Sequence, residues 1–126
     1  MILTVENLKK SYGPVEAVKG VSFSVEEGSL FSFLGPNGAG KSTTISMLST
    51  ALSPDSGKAF VCGYELGRED DKIRRCLGVV FQGSVLDPLL TVEENLTCRA
   101  SLYGMDGKRA RAAAREAMEK TGLLDL

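Results

Sequence analysis

One eight-residue run limits this chain more than any other feature: Gly35-Pro36-Asn37-Gly38-Ala39-Gly40-Lys41-Ser42. It satisfies the pattern G-x-x-x-x-G-K-[ST], which has a physical basis. Backbone amides must converge on phosphate oxygens, and side chains would block that approach. Gly35, Gly38 and Gly40 remove the Cβ obstacle and permit positive φ. The amides and the positive end of a following helix then hold the anion. A lysine at position 41 reaches the β and γ phosphates, and the hydroxyl of Ser42 suits Mg²⁺. The pattern has weight only between a strand and a helix, and the flanks supply both. Leu30-Phe31-Ser32-Phe33-Leu34 reads as a short apolar strand, and residues 41–50 read as a helix.

The remaining chain organises around that unit. Ile2-Leu3-Thr4-Val5, Val15 to Val18 and Val21-Ser22-Phe23-Ser24-Val25 read as strands of an antiparallel sheet. Ser11 to Pro14 and Glu26 to Gly28 are turns, as is Ser53 to Gly57. Lys58 to Cys62 and Leu77 to Phe81 are further strand candidates, and Asp71 to Cys76 is a short helix. Thr91-Val92-Glu93-Glu94 has the spacing of a capping box opening a helix to about Tyr103. After a break at Gly104 to Gly107, Ala110, Ala113, Ala114, Ala117, Met118 and Thr121 recur on one helical face, with Gly122 as its C′ residue. Strands alternating with helices predict a parallel sheet downstream of the antiparallel part.

Charge and composition narrow the function classes. The 126 residues carry a formal net charge of -1, which excludes a strong nucleic-acid footprint. The cluster Lys108, Arg109, Arg111 and Arg115 reads as a solvated helix face. No apolar run approaches the ~20 residues of a membrane span, and the first residues lack the basic region of a signal peptide. The expected location is the cytoplasm. Three cysteines, none in a CxxC pair, and no histidine argue against a disulfide framework or a zinc site.

The flanks of the glycine run make a family resemblance specific. Gly35 through Thr43, GPNGAGKST, resembles the Walker A segment of ABC-transporter ATPases. Tyr12, before Gly13, is similar in position to the aromatic that stacks on adenine in that family. Leu52 to Gly57 resembles the turn after the P-loop helix. Gly78-Val79-Val80-Phe81-Gln82 resembles the strand ending in the Q-loop glutamine, and Leu86 to Leu96 resembles the drug-export and ABC-2 branch. The resemblance runs over the whole chain. It implies an α/β fold: an incomplete P-loop ATPase core with an N-terminal antiparallel β subdomain and the start of a helical subdomain. The corresponding divisions are 1–30 for the β part, 31–90 for the core with its Q-loop, and 91–126 for the helical part.

The resemblance also implies roles. ATP would be held by Tyr12, Gly35, Pro36, Asn37, Gly38, Ala39, Gly40, Lys41, Ser42 and Thr43. Lys41 and Gln82 would serve catalysis, and Ser42 and Gln82 would ligate Mg²⁺. A bland reading stands beside each flank: Tyr12 as a turn residue, Gln82 as a polar strand end. Val85, Leu86, Leu89 and Leu90 fit local packing and a membrane-partner surface equally well. The implied whole is the ATP-binding subunit of a transporter. It would pair with a second such subunit and dock on a transmembrane permease, peripheral on the cytoplasmic face of the membrane. The alternatives are a soluble ABC-type ATPase, a small P-loop kinase, or a non-catalytic nucleotide-binding fragment.

The 126 residues include no LSGGQ signature, no strand ending in Asp-Glu and no switch histidine. Truncation to the N-terminal part of the domain is the simplest account. A chain cut there is expected not to hydrolyse ATP by itself. It is also expected to leave strand edges unpaired, with either marginal stability or self-association that covers them.

Overall fold

The computed structural model describes residues 1–35, 40–80 and 83–124. Two compact units divide at Val79 and Val80.

The first unit is built on a four-stranded sheet in the order β2-β1-β3-β4, antiparallel throughout. Its strands are β1 (Leu3–Tyr12), β2 (Val15–Val25), β3 (Ser56–Val61) and β4 (Tyr64–Glu65). The two short strands expected between Val15 and Val25 are one continuous strand, because Gly20 takes a positive φ without breaking the ladder. An irregularity in β1 sets the core. Val5 and Leu8 are three residues apart, so a regular strand would point them to opposite faces. The register shifts between them, at Asn7, whose φ is 48°. That extra residue returns both side chains to the buried face. Its N–H is satisfied by Ser22 Oγ at 2.8 Å. Gly57 of β3 crosses the bulge so closely that a Cβ there would lie 2.3 Å from the Asn7 carbonyl oxygen.

Helix α1 (Lys41–Leu48) covers this sheet, burying Met47 and Leu48 against Val5, Leu8, Val18 and Ala59. It ends before the expected Thr50. Thr50 itself adopts φ 67°, and the Ala51 and Thr50 N–H groups donate to Ser46 O and Met47 O. This closes the helix in a Schellman motif with threonine where glycine is usual. Helix α2 (Asp70–Cys76) follows β4 and buries Ile73.

Two expected strands are corrected. Residues 30–34 and 77–80 carry no ladder bonds, and the expected parallel sheet is absent among the described residues. The reason is physical: a strand exists only beside a partner, and an apolar run cannot supply its own. Phe31 and Phe33 still dock, with ring centroids 5.2 and 5.4 Å from that of Phe23. Leu30 and Leu34, on alternate positions, are 98% and 89% exposed, and Val80 is 99% exposed.

The second unit is a helical hairpin of α3 (Val92–Ser101) and α4 (Gly107–Thr121). The expected capping box forms in full: Glu94 N–H donates to Thr91 Oγ1 at 3.1 Å, and Thr91 N–H donates to Glu94 Oε2 at 2.7 Å. Helix α3 ends at Ser101, two residues before the expected Tyr103. Ala110, Ala114 and Met118 are buried, with Ala113 and Ala117 beside them, as their periodicity predicts. Gly122, at φ 74°, ends α4. Asp106, unnoticed in the sequence, caps its start by accepting the Arg109 N–H at 2.8 Å.

Candidate functional site

The site begins where Gly40 turns the chain into α1. Gly40 has φ 85°, a value costly for any residue with a Cβ. A Cβ there would also stand 2.3 Å from the Ala17 carbonyl oxygen and 3.2 Å from Val18 Cγ2. The sequence motivates this glycine by room for a phosphate. The structure adds a second demand, room for β2. Both apply to the same backbone, since the contact with β2 fixes where the first turn of α1 stands.

That first turn is electrostatically open. Gly40 contributes no side-chain cap, and no acidic residue lies within the turn. The first N–H groups of a helix have no intrahelical acceptor, and their dipoles sum to a partial positive charge. Ser42 is exposed and Lys41 and Thr43 are half-buried. Thr44 is fully buried, its hydroxyl donating to Gly40 O at 2.8 Å, so its side chain points into the fold. Lys41 Nζ folds back and donates to the Gly35 carbonyl, bringing the two ends of the glycine run together. The donor set fits an oxyanion: the first-turn amides, one ammonium and two hydroxyls, with no carboxylate among the first-turn residues.

Tyr12 reaches the same end of the sheet. It pairs with Val15 across the β1–β2 turn, and Val18 pairs with Lys10. Ala17, the residue against Gly40, is two positions along β2 from Val15, about 7 Å at the rise of a strand. The Tyr12 ring is 50% exposed, and Lys10 Nζ lies 6.0 Å from its centroid. Asp55 fastens this corner. Its carboxylate accepts the Ser11 N–H at 2.7 Å and Lys10 Nζ at 3.3 Å, and its own N–H donates to Lys9 O at 2.9 Å. The Ser11 amide, followed by the Lys10 ammonium, holds the Asp55 carboxyl below its ordinary value. The sequence marks Asp55 only as a turn residue; its reach across to β1 has no local signal.

Pro36, Asn37, Gly38, Ala39 and Gln82 lie outside the described residues. Thus Gly35, Gly40, Lys41, Ser42 and Thr43 stand together at one end of α1, with Tyr12 at the adjoining hairpin. In the second unit the apolar residues Val85, Leu86 and Leu89 are exposed, while Leu90 is half-buried. Asn95 organises that loop. It is buried, accepts the Asp87 N–H at 2.9 Å, and donates to the carbonyls of Asp87, Leu90 and Thr91.

A glycine run in the sequence before the N-terminus of a helix, with lysine and serine as the helix's first residues, is the pattern of a P-loop nucleotide-binding domain. The family model described as "ABC transporter" matches residues 18–126, and the chain belongs to that family. Over 124 residues it is 46% identical to the linearmycin resistance ATP-binding protein LnrL of Bacillus subtilis (strain 168), covering 98% of this chain and 40% of LnrL. Over 123 residues it is 42% identical to the daunorubicin/doxorubicin resistance ATP-binding protein DrrA of Streptomyces peucetius, covering 98% of this chain and 37% of DrrA. The fold is similar to that of the ATP-binding cassette MJ0796, solved as a dimer in a post-hydrolysis state bound to ADP and Pi. The TM-score is 0.75 at 29% identity, over 93% of this chain and 56% of that one. The chain therefore spans well under half the length of these two curated relatives. No helix among the described residues is long and apolar enough to cross a membrane.

Proposed function

We propose that this chain is the nucleotide-holding part of the ATP-binding subunit of an ABC exporter. The observation that carries the reading is the open first turn of α1, set by Gly40 against β2, with Lys41 drawn onto Gly35. In this reading the phosphates of ATP take the amides from residue 37 to residue 43. Lys41 Nζ exchanges the Gly35 carbonyl for β and γ phosphate oxygens. Tyr12 stacks on the adenine from the adjoining hairpin, which its exposed ring permits.

Ser42 Oγ and Gln82 would hold Mg²⁺, which would offset phosphate charge when bound. Lys41, a fixed positive charge on a helix anchored by Thr44 and Met47, orients the phosphate chain. Gln82 would orient the attacking water. The names of LnrL and DrrA, both resistance ATP-binding proteins, support export as the process served. Partners in this reading are a second ATP-binding subunit and a transmembrane permease that holds the chain at the cytoplasmic face of the membrane; no nucleic acid takes part. The dimeric state of MJ0796 supports the paired subunit.

For the 126-residue chain by itself, the proposed activity is nucleotide binding without turnover. Phosphoryl transfer needs phosphate, metal and an oriented water held together, and stabilisation of the developing charge usually contributes most to the rate. These residues supply part of that shell. Photolabelling with an azido-adenine analogue of ATP tests the pose. Label is expected in the peptide holding Tyr12, competed by ATP and reduced in Tyr12→Ala. Label confined to the α3–α4 hairpin would contradict it.

A further inference from the structure

The hairpin that carries Tyr12 reaches past the rest of its sheet. The last pair between β1 and β3 joins Lys9 to Ser56, whereas β1 and β2 stay paired as far as Tyr12 and Val15. Among the described residues, residues 10–12 therefore have a strand partner on one side only. On the other side Asp55, the residue just before β3, stands where the ladder would continue. Its N–H donates to Lys9 O at 2.9 Å, and its carboxylate accepts the Ser11 N–H at 2.7 Å. A side chain thus takes the place of a strand carbonyl, and a charged acceptor makes the stronger bond.

The same carboxylate places Lys10. Nζ of Lys10 lies 3.3 Å from Asp55 Oδ1 and sits over the Tyr12 ring, 6.0 Å from its centroid. The Lys10 side chain is only 16% exposed, while half of Tyr12 is open to solvent. An ammonium over one face of an aromatic ring is attracted to its π electrons and leaves the opposite face to a flat ligand. Asp55 also belongs to the segment that leads out of α1, whose head is the phosphate site. Ala17, further down the Tyr12 hairpin, abuts Gly40 at that head. The hairpin is therefore tied to both ends of α1.

We propose that Asp55 is a positioning residue for the base of the bound nucleotide: through the Ser11 N–H and the Lys10 ammonium it fixes the Tyr12 ring, one face toward Lys10 and the other open to adenine. The proposal rests on the reading of Tyr12 as the residue that stacks on adenine. Asp55 acts only through that ring, so its effect is confined to ligands that carry a base. A ring held in place before the ligand arrives need not be ordered on binding, and that saving appears as affinity. Lys41 and Ser42 hold the phosphates from the other end and do not depend on Asp55.

The test compares two ligands, ATP and inorganic tripolyphosphate, each with Mg²⁺, by calorimetry on the full chain at a temperature where circular dichroism shows every variant folded. Tyr12→Ala should weaken ATP about 5- to 150-fold, the range of base–aromatic stacking, and leave tripolyphosphate unchanged. Asp55→Ala should weaken ATP at least about 3-fold, as expected of coupled neighbours, again with tripolyphosphate unchanged. In the Tyr12→Ala background the Asp55→Ala loss should vanish. Asp55→Asn keeps an acceptor for the Ser11 N–H but not the charge facing Lys10, so its loss should be smaller; it carries the same test if Asp55→Ala does not fold. Asp55 variants that weaken both ligands equally, or weaken ATP as much without Tyr12 as with it, would overturn the proposal. So would a loss in Tyr12→Ala with none in Asp55→Ala, which leaves the stacking reading intact. No loss of ATP affinity in Tyr12→Ala would overturn the stacking reading and the proposal with it.

Discussion

Two glycines show how one missing atom can hold an element in place. Gly57 crosses the Asn7 bulge and Gly63 lies in the β3–β4 turn. Both have positive φ, 93° and 82°, but only Gly57 meets backbone within 3 Å of a built Cβ. Gly63→Ala should cost about 1–2 kcal/mol from left-handed strain alone. Gly57→Ala adds a clash with Asn7 O that only backbone movement relieves, and should cost at least about 2 kcal/mol more. Urea denaturation of the two variants checks this difference, and equal losses would contradict the bulge geometry. Asp55 sets the acid stability of the corner between β1 and the 53–57 turn. Its value is lowered in the folded chain, so it binds a proton less readily folded than unfolded. Its contribution is present above the unfolded carboxylate value and is lost as pH falls through the folded one. Asp55→Asn should therefore flatten the fall in stability below about pH 4 and lower stability near neutrality, where the charged form matters. Identical acid limbs for variant and parent in thermal melts across that range would remove Asp55 from this role.

Elements were legible in the sequence where their signals are local. The Thr91 capping box, the alanine face of α4 and Gly122 all lie within one helix and form as their spacing predicts. Gly40, Lys41 and Ser42 likewise fall at the head of α1. Part of what the sequence hid depends on partners distant along the chain: the bulge at Asn7 meets Ser22 and Gly57. Asn95 and Asp106 have partners within eight residues, but those partners are backbone groups, which leave no pattern in the sequence. Leu30 to Leu34 read as a strand because its residues favour one, yet it lacks a neighbour to pair with among the described residues. Asn95→Ala should cost about 1–3 kcal/mol, since it leaves several part-buried backbone groups without partners. The Asp87 amide should then exchange its hydrogen faster; unchanged protection there would show that Asn95 does not hold the loop.

At the scale of the whole molecule, exposed Leu30, Leu34 and Val80 predict self-association. Sedimentation at micromolar concentration should show dimers or larger species, reduced in Leu30→Ser with Leu34→Ser. A clean monomer in both would show that these apolar residues need no cover. The proposed function rests, at this scale, on Gly40, Lys41 and Ser42 making the head of α1 a phosphate site within an ABC ATP-binding subunit. Calorimetric titration of the chain with ATP and Mg²⁺, in parallel for wild type and Lys41→Ala, reads that site, with phosphate release followed in the same samples. Saturable binding is expected for the wild type. The substitution removes a charge-assisted hydrogen bond worth about 1–3 kcal/mol, so it should weaken binding about 5- to 150-fold. It should barely change stability, because the contact of Lys41 with Gly35 O is exposed. No phosphate release above the variant's background is expected from the wild type. Equal affinity for both chains would contradict a phosphate site of this kind, and wild-type turnover well above that background would contradict binding without turnover.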